Sequence, residues 1–172
     1  MFRQRLKAFL IVAHLILLDY FVKEVTLARQ AKGLLPVQVI PDFFRFSYVK
    51  NMGCAWGMFQ GHVWPLAVFA FVAMGFLVWK RKSIFPQNLM GRAVELLLHA
   101  GIVGNLIDRV FRGGVIDMFD MYWGTYHFPC FNVADVYITV SAAGLFLLSL
   151  LQKEETPKDV DDRKKDVADG RS

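Results

Sequence analysis

The sequence predicts an all-α membrane protein, with four transmembrane helices and a small extracytoplasmic β-rich cradle between helices one and two. Three observations carry that prediction. Apolar residues make up 55% of 172 residues and mean hydropathy is positive at +0.37, more than a soluble body of this size has interior to hide. Four apolar segments, at 7–25, 62–79, 93–109 and 133–151, each approach the ~20 residues that cross a hydrocarbon core of ~30 Å. Between the first two, Phe44, Phe46 and Tyr48 alternate with Arg45 and Ser47 at the strand period of two.

The first segment follows Arg3, Arg5 and Lys7, the basic start of a signal peptide, but it reads as a span. His14 and Asp19 interrupt it, it is long enough to cross, and no small-residue cleavage site follows. Next comes "LLPVQVIPDFFRFSYVKNMG", whose bracketing prolines and single apolar face predict a short sheet lying on the outer leaflet. The second segment is the cleanest, with no Lys, Arg, Asp or Glu between Met52 and Trp79. "KRKSIFPQNLMGR", residues 80–92, is short, basic and broken by Pro and Gly, so it predicts a cytoplasmic loop. The third segment carries Glu95, His99 and Asp108; such residues inside a membrane face the bundle interior and mark function. After the fourth, "KEETPKDVDDRKKDVADGRS" has no aromatic residue and dense mixed charge, so residues 153–172 are expected to form a disordered cytoplasmic tail beyond a membrane domain of 1–152.

An even number of crossings puts both termini on one side. Arg3, Arg5, Lys7, Lys80, Arg81, Lys82, Arg92 and the tail's basic residues gather there, which makes that side cytoplasmic; Arg29, Lys32, Arg45, Lys50 and Arg112 are spread over more chain on the other. The net charge of +5 is therefore assigned to orientation and anionic lipid contact, with membrane lipids as partners and no nucleic acid. Cys54 and Cys130 both fall outside and read as small apolar fillers, with a disulfide as the alternative.

Helix three must leave and helix four must enter on the same outer side, and "VIDMFDMYWGTYHFPCFNVAD", residues 115–135, joins them. Asp117 lies in this connection and Asp135 about one turn inside helix four, so the two meet at the outer boundary. Asp108 and Asp120 compete: the first adjoins Arg109 and Arg112 as a helix-end ion pair would, and the second stands in the wet loop, where an exposed carboxylate is ordinary. Two carboxylates sharing a site cannot both ionise, so one keeps a proton while the other is a base. Such a pair activates water without a metal or other cofactor. Spacing alone leaves a second reading open, in which both acids are structural polar groups at the membrane boundary.

Other residues carry the same double reading. In "GIVGNLIDR", Asn105 and Arg109 share a helix face and Gly101 and Gly104 admit a close neighbour, for catalysis or for packing. Asn132 is an N-cap three residues before Asp135. Asp19 and Lys23, four apart, form an intrahelical pair or face a wet cavity, and Asn51 is a turn residue or part of the cleft. The four histidines are scattered with no HExxH, and no G-x-S-x-G elbow occurs, so the remaining enzyme chemistry is carboxylate-based. A small four-helix transporter or channel is the alternative; it would place an acid such as Glu95 near the midplane, whereas these acids gather at one boundary.

Taken together, "LDYFVK", "KNMGCAWGMF", "GNLIDR", "VIDMF" and "FNVAD" resemble the bacterial lipoprotein signal peptidases, or signal peptidase II, in order from residue 19 to 135. The resemblance implies an aspartic endopeptidase of the inner membrane. It would remove signal peptides from diacylglyceryl-modified prolipoproteins, cutting before the lipidated cysteine, and would bind the cyclic peptide inhibitors of the family. It places the catalytic pair on Asp117 and Asp135 and the supporting polar residues on Asp19, Lys23, Asn51, Asn105, Arg109 and Asn132. Lys50, Cys54, Trp56 and Met118 depart from the family's usual His, Ala, Phe and Phe, which bears on pocket shape and not on the acids. Trp56, Trp64, Tyr122 and Trp123 suit an interfacial aromatic belt.

Overall fold

A computed structural model describes residues 2–152; the charged tail at 153–172 lies outside the described residues. Helix α1 spans Phe2–Ala31, longer at both ends than its apolar segment because Arg3, Arg5, Leu27 and Arg29 are good helix formers. It stops at Gly33, whose φ of +66° suits glycine, with the amides of Gly33 and Leu34 returning to the carbonyls of Gln30 and Arg29. Helix α2 is Val63–Trp79, α3 is the single turn Arg81–Ile84, α4 is Leu89–Arg112 and α5 is Val133–Gln152. Asn88 starts α4 earlier than the hydropathy predicts, because its side chain accepts the Gly91 amide at 2.8 Å.

The sheet differs from the expectation. Strands β1 (Val37–Ile40) and β2 (Phe44–Asn51) come from the predicted segment, but β3 (Val115–Trp123) and β4 (Tyr126–His127) come from the stretch read as a loop. The four pair antiparallel in the order β1-β2-β3-β4. The period-two signal fails in β3 because successive residues Val115, Ile116, Asp117 and Met118 are all buried, so both faces of the strand are covered there. In β2 a register shift between Phe46 and Val49 ends the alternation that begins at Phe44.

Helix α4 is the centre of the bundle, packing on α1, α2 and α5. Its glycines set the distances. A methyl on Gly101 would stand 2.6 Å from the Ala134 carbonyl and 2.7 Å from Ile138 Cγ1, and one on Gly104 would stand 2.7 Å from Asp19 Oδ2. Gly101→Ala therefore pushes α5 away, at a cost of about 1–3 kcal/mol for overpacking. The expected result is a lower melting temperature in detergent together with reduced activity; an unchanged melting curve would show that α5 is not held at this contact.

Along α2 only Val63 and Ala67 are buried, while Phe69, Phe71, Val72 and Trp79 are exposed. A helix that is apolar all round with most of its surface uncovered calls for an apolar solvent. Among the described residues α5 is long and apolar enough by length and composition to cross a membrane, and α2 is apolar but shorter. At the end of the bundle away from the sheet, Phe85, Val94 and Leu148 form a small buried cluster.

Candidate active site

Antiparallel pairing of β2 with β3 sets Val49 opposite Asp117 and Asn51 opposite Val115. From there Asn51 Nδ2 donates to Asp117 Oδ2 at 3.1 Å, while its own Oδ1 accepts the Gly53 amide at 2.9 Å. At the start of α5, Asn132 Oδ1 accepts the Asp135 amide at 3.0 Å and Asp135 Oδ2 accepts the Asn132 amide at 3.1 Å, a reciprocal capping box. The N-cap expected at Asn132 is thus present, and it also fixes the Asp135 rotamer.

Two carboxamides link the acids. Asn132 Nδ2 donates to Asp117 Oδ1 at 2.7 Å and to Asn105 Oδ1 at 3.1 Å, and Asn105 Nδ2 donates to Asp135 Oδ1 at 2.7 Å. Both amides are buried and every polar atom of each is used, so neither can turn without breaking the chain. Asp117 is 1% exposed. Burial, and after it the charge of Asp135, push the Asp117 carboxyl up to about 7 despite the amides of Asn51 and Asn132.

Beneath this chain lies a charged layer. Lys23 Nζ bonds Asp19 at 2.7 Å, Asp108 at 2.9 Å and Asn105 Oδ1 at 3.2 Å, with all three charged side chains buried. Asp19 reaches on to the Ala134 amide at 2.9 Å, at the first turn of α5, and Asp108 to the Ile116 amide at 3.1 Å. Arg112 holds the other oxygen of Asp108 and also Glu24. The pair Asp19–Lys23 therefore ties α1 to α4 and α5, and Asp108 carries the link on to β3. Arg109 stands apart from the acids' own hydrogen bonds, donating weakly to the carbonyls of Asn105 and Gly53 at 3.4 and 3.3 Å.

Two carboxylates read differently in the sequence. Asp108 is no simple helix-end pair with its neighbours, since it is the second partner of Lys23. Its place was recoverable: Gly101, Asn105 and Asp108 recur at helical spacing on one face of α4. Asp120 is 3% exposed and not in a wet loop. It bonds Arg45 Nε at 2.6 Å and His127 Nδ1 at 2.8 Å, joining β2, β3 and β4. Burial pushes Asp120 up, but the hydrogen bonds from His127 and Arg45 outweigh it and hold its carboxyl below the usual range. The two cysteines are free thiols, and burial pushes that of Cys130 up. The sequence reading finds no Ser-x-x-Lys signal for a serine nucleophile, yet Ser47 and Lys50 stand at that spacing; the Ser47 hydroxyl meets Cys130 Sγ at 3.8 Å and the Lys50 stem packs at Gly114, so the two do not form a nucleophile and its base.

The acids sit between two hollows. One of about 620 Å³ runs between α2, α4 and α5, lined by apolar groups such as Phe69, Ile102 and Ile138, with Asn105, Arg109 and Asp135 at its polar end. The other, about 630 Å³, is lined by Arg45, Lys50, Asp117, Asp120 and His127. Asn51, Cys54 and Trp56 border both. Glu95, the acid a transporter would use, is instead bonded by Arg81 of α3 and anchors the loop between α2 and α4.

This fold is shared with solved structures described as bacterial membrane enzymes. One, determined by the in meso method at 2.3 Å, superposes with a TM-score of 0.72 at 29% identity over 87% of this chain and 90% of that one. A second, at 1.9 Å, gives 0.70 at 29% identity over 87% and 94%. Fold and structural neighbours together define a class of bacterial membrane enzyme. A family model described as Signal peptidase (SPase) II matches residues 11–151. The lipoprotein signal peptidase of Symbiobacterium thermophilum is 40% identical over 70% of this chain and 80% of its own length. That of Shewanella loihica is 40% identical over 77% and 76%, and that of Geobacillus thermodenitrificans 36% identical over 81% and 86%. The chain belongs to the signal peptidase II family, the lipoprotein signal peptidases.

Proposed function

We propose that Asp117 and Asp135 are the water-activating pair of an aspartic endopeptidase that removes signal peptides from diacylglyceryl-modified prolipoproteins. The observation that carries this is the hydrogen-bonded chain Asp117–Asn132–Asn105–Asp135 at the junction of an apolar cleft and a polar vestibule. A signal helix fits the apolar side and the mature chain the polar side, which sets the scissile bond beside the acids and before the lipidated cysteine. Near neutrality the pair shares one proton. The ionised carboxylate takes a proton from water, the protonated one hydrogen-bonds the carbonyl oxygen, and the tetrahedral intermediate collapses as the proton passes to the leaving nitrogen. Asn105 and Asn132 orient the acids; Asp19, Lys23, Asn51 and Arg109 hold the cleft's polar end.

In this reading α1, α2, α4 and α5 are four crossings of the bacterial inner membrane with both termini cytoplasmic, residues 1–152 form the peptidase domain and 153–172 the tail. The sheet lies at the outer face, where Trp56 and Trp123 are exposed as interfacial anchors are. Cyclic peptide inhibitors would occupy the same cleft. The test is cleavage by purified enzyme of a diacylglyceryl-modified prolipoprotein and of its unmodified precursor, across pH. Only the lipidated form should be cut, before its cysteine. Because Asp117 keeps its proton up to about 7, the rate should fall as pH rises through that value and the protonated member is lost. Cleavage of both forms, or a rate still climbing well above neutrality, contradicts the proposal.

A further inference from the structure

At the end of α1 and α4 opposite the acids, two furrows remain that the peptidase chemistry does not use. The helices run parallel there, since Lys23 meets Asn105 and Asp108 at their far ends while residues 4–15 of α1 face 89–97 of α4. The first furrow, about 550 Å³, lies between them, with Lys7 and Arg92 toward the helix N-termini and Leu15 and Leu96 toward the bundle's middle. The second, about 470 Å³, runs along α1 past Leu10, His14 and Leu18. Lys7, Ile11 and Leu15 line both. Standing at i, i+4 and i+8, they form one ridge with a furrow on each flank and a single cation at its head.

Charge and shape select the occupant. Among the described residues neither Lys7 nor Arg92 forms an ion pair, whereas Arg81, at the same end of the bundle, is bonded to Glu95. Arg92 stands in the first turn of α4, so the helix's positive end adds to the two side chains. A single anion is called for at the head, and a forked apolar body below it. We propose that this fork binds one anionic diacyl phospholipid, its phosphate between Lys7 and Arg92 and its two acyl chains astride Ile11 and Leu15. The site rests on the reading of α1 and α4 as crossings that begin on the cytoplasmic side, and it places the lipid in the inner leaflet. Basic residues near an anionic leaflet strengthen such contacts, and a zwitterionic choline headgroup would set its own cation against Lys7 and Arg92.

Native mass spectrometry of the full chain released from micelles tests this with dioleoylphosphatidylglycerol and dioleoylphosphatidylcholine as probes. One phosphatidylglycerol should be retained in preference to phosphatidylcholine. Lys7→Gln with Arg92→Gln should weaken that adduct by roughly tenfold to thirtyfold. Lys80→Gln with Lys82→Gln, basic residues outside the furrows, should leave it intact. Ala8→Trp fills the first furrow without changing charge and should also lower retention, which covers the case in which the double variant fails to fold. The one-chain lysophosphatidylglycerol should bind more weakly. Equal retention of the two headgroups, equal loss in both lysine-containing pairs, displacement by inorganic phosphate, or a dimer in place of the adduct would each overturn the proposal. Asp117→Asn should bind the lipid as the wild type does, so a failure of the peptidase reading leaves this result standing. In intact cells a membrane-impermeant amine reagent that reaches Lys7 before lysis would reject the crossing direction itself.

Discussion

Asp117→Asn and Asp135→Asn each stop cleavage of a lipidated prolipoprotein while the protein accumulates in the membrane as the wild type does. That is the expected result, and the geometry says why it is specific. Asn keeps the volume and one acceptor oxygen, so Asn132 still has a partner on Asp117's position and the capping box on Asp135's keeps one of its two bonds. What is lost is the exchangeable proton of the pair. Removing a positioned acid or base costs roughly 10²- to 10⁴-fold in rate, larger than any effect of the lost hydrogen bond on folding. Single-turnover cleavage beside a thermal melt separates the two. Retained turnover in both variants would return the acids to a structural role.

The second large effect is expected at Lys23, which touches no proposed substrate atom. Its ammonium is the cation between Asp19 and Asp108, all three side chains being 2% exposed or less. Lys23→Met leaves two buried carboxylates with their shared partner gone and Asn105 Oδ1 short of a donor. Breaking a buried pair in this way costs about 3–5 kcal/mol, a large share of the ~5–15 kcal/mol that holds a domain together. Lys23→Arg should not rescue it, because a guanidinium has no room at a side chain with no exposure. Asp19→Asn combined with Lys23→Met should recover part of the loss, since a neutral amide oxygen still accepts from Ala134 and Arg112 still holds Asp108. Melting temperatures of the three variants decide it. A Lys23→Met protein as stable as wild type would mean that this charged layer does not hold the helices together.

Much of this was legible from the chain. Hydropathy located the four long helices, and "GNLIDR" and "FNVAD" marked the polar face where Asn105 and Asn132 meet. The remainder was hidden for identifiable reasons. Strand β3 is buried on both faces, so it lacks the alternation that betrayed β2, and its two aspartates make it look like a loop. Asp120 seemed exposed because Arg45, its partner, lies 75 residues away across the sheet. The role of Asp108 was obscured by nearer arginines; its second cation, Lys23, belongs to another helix. Local patterns report which face of an element is apolar, but they do not report which distant strand or helix will cover it.

The order in which the chain emerges gives the shared site a meaning for biogenesis. Asp117 precedes the last helix in synthesis, and Asp135 rides within it, as does the amide that satisfies Asp19. Until α5 packs against α4, the nascent protein holds one of the two proposed acids, a half-made amide relay and a carboxylate, Asp19, lacking its backbone donor. If the two acids act as proposed, hydrolytic competence arrives only with α5, and a chain lacking that helix is expected to be inert.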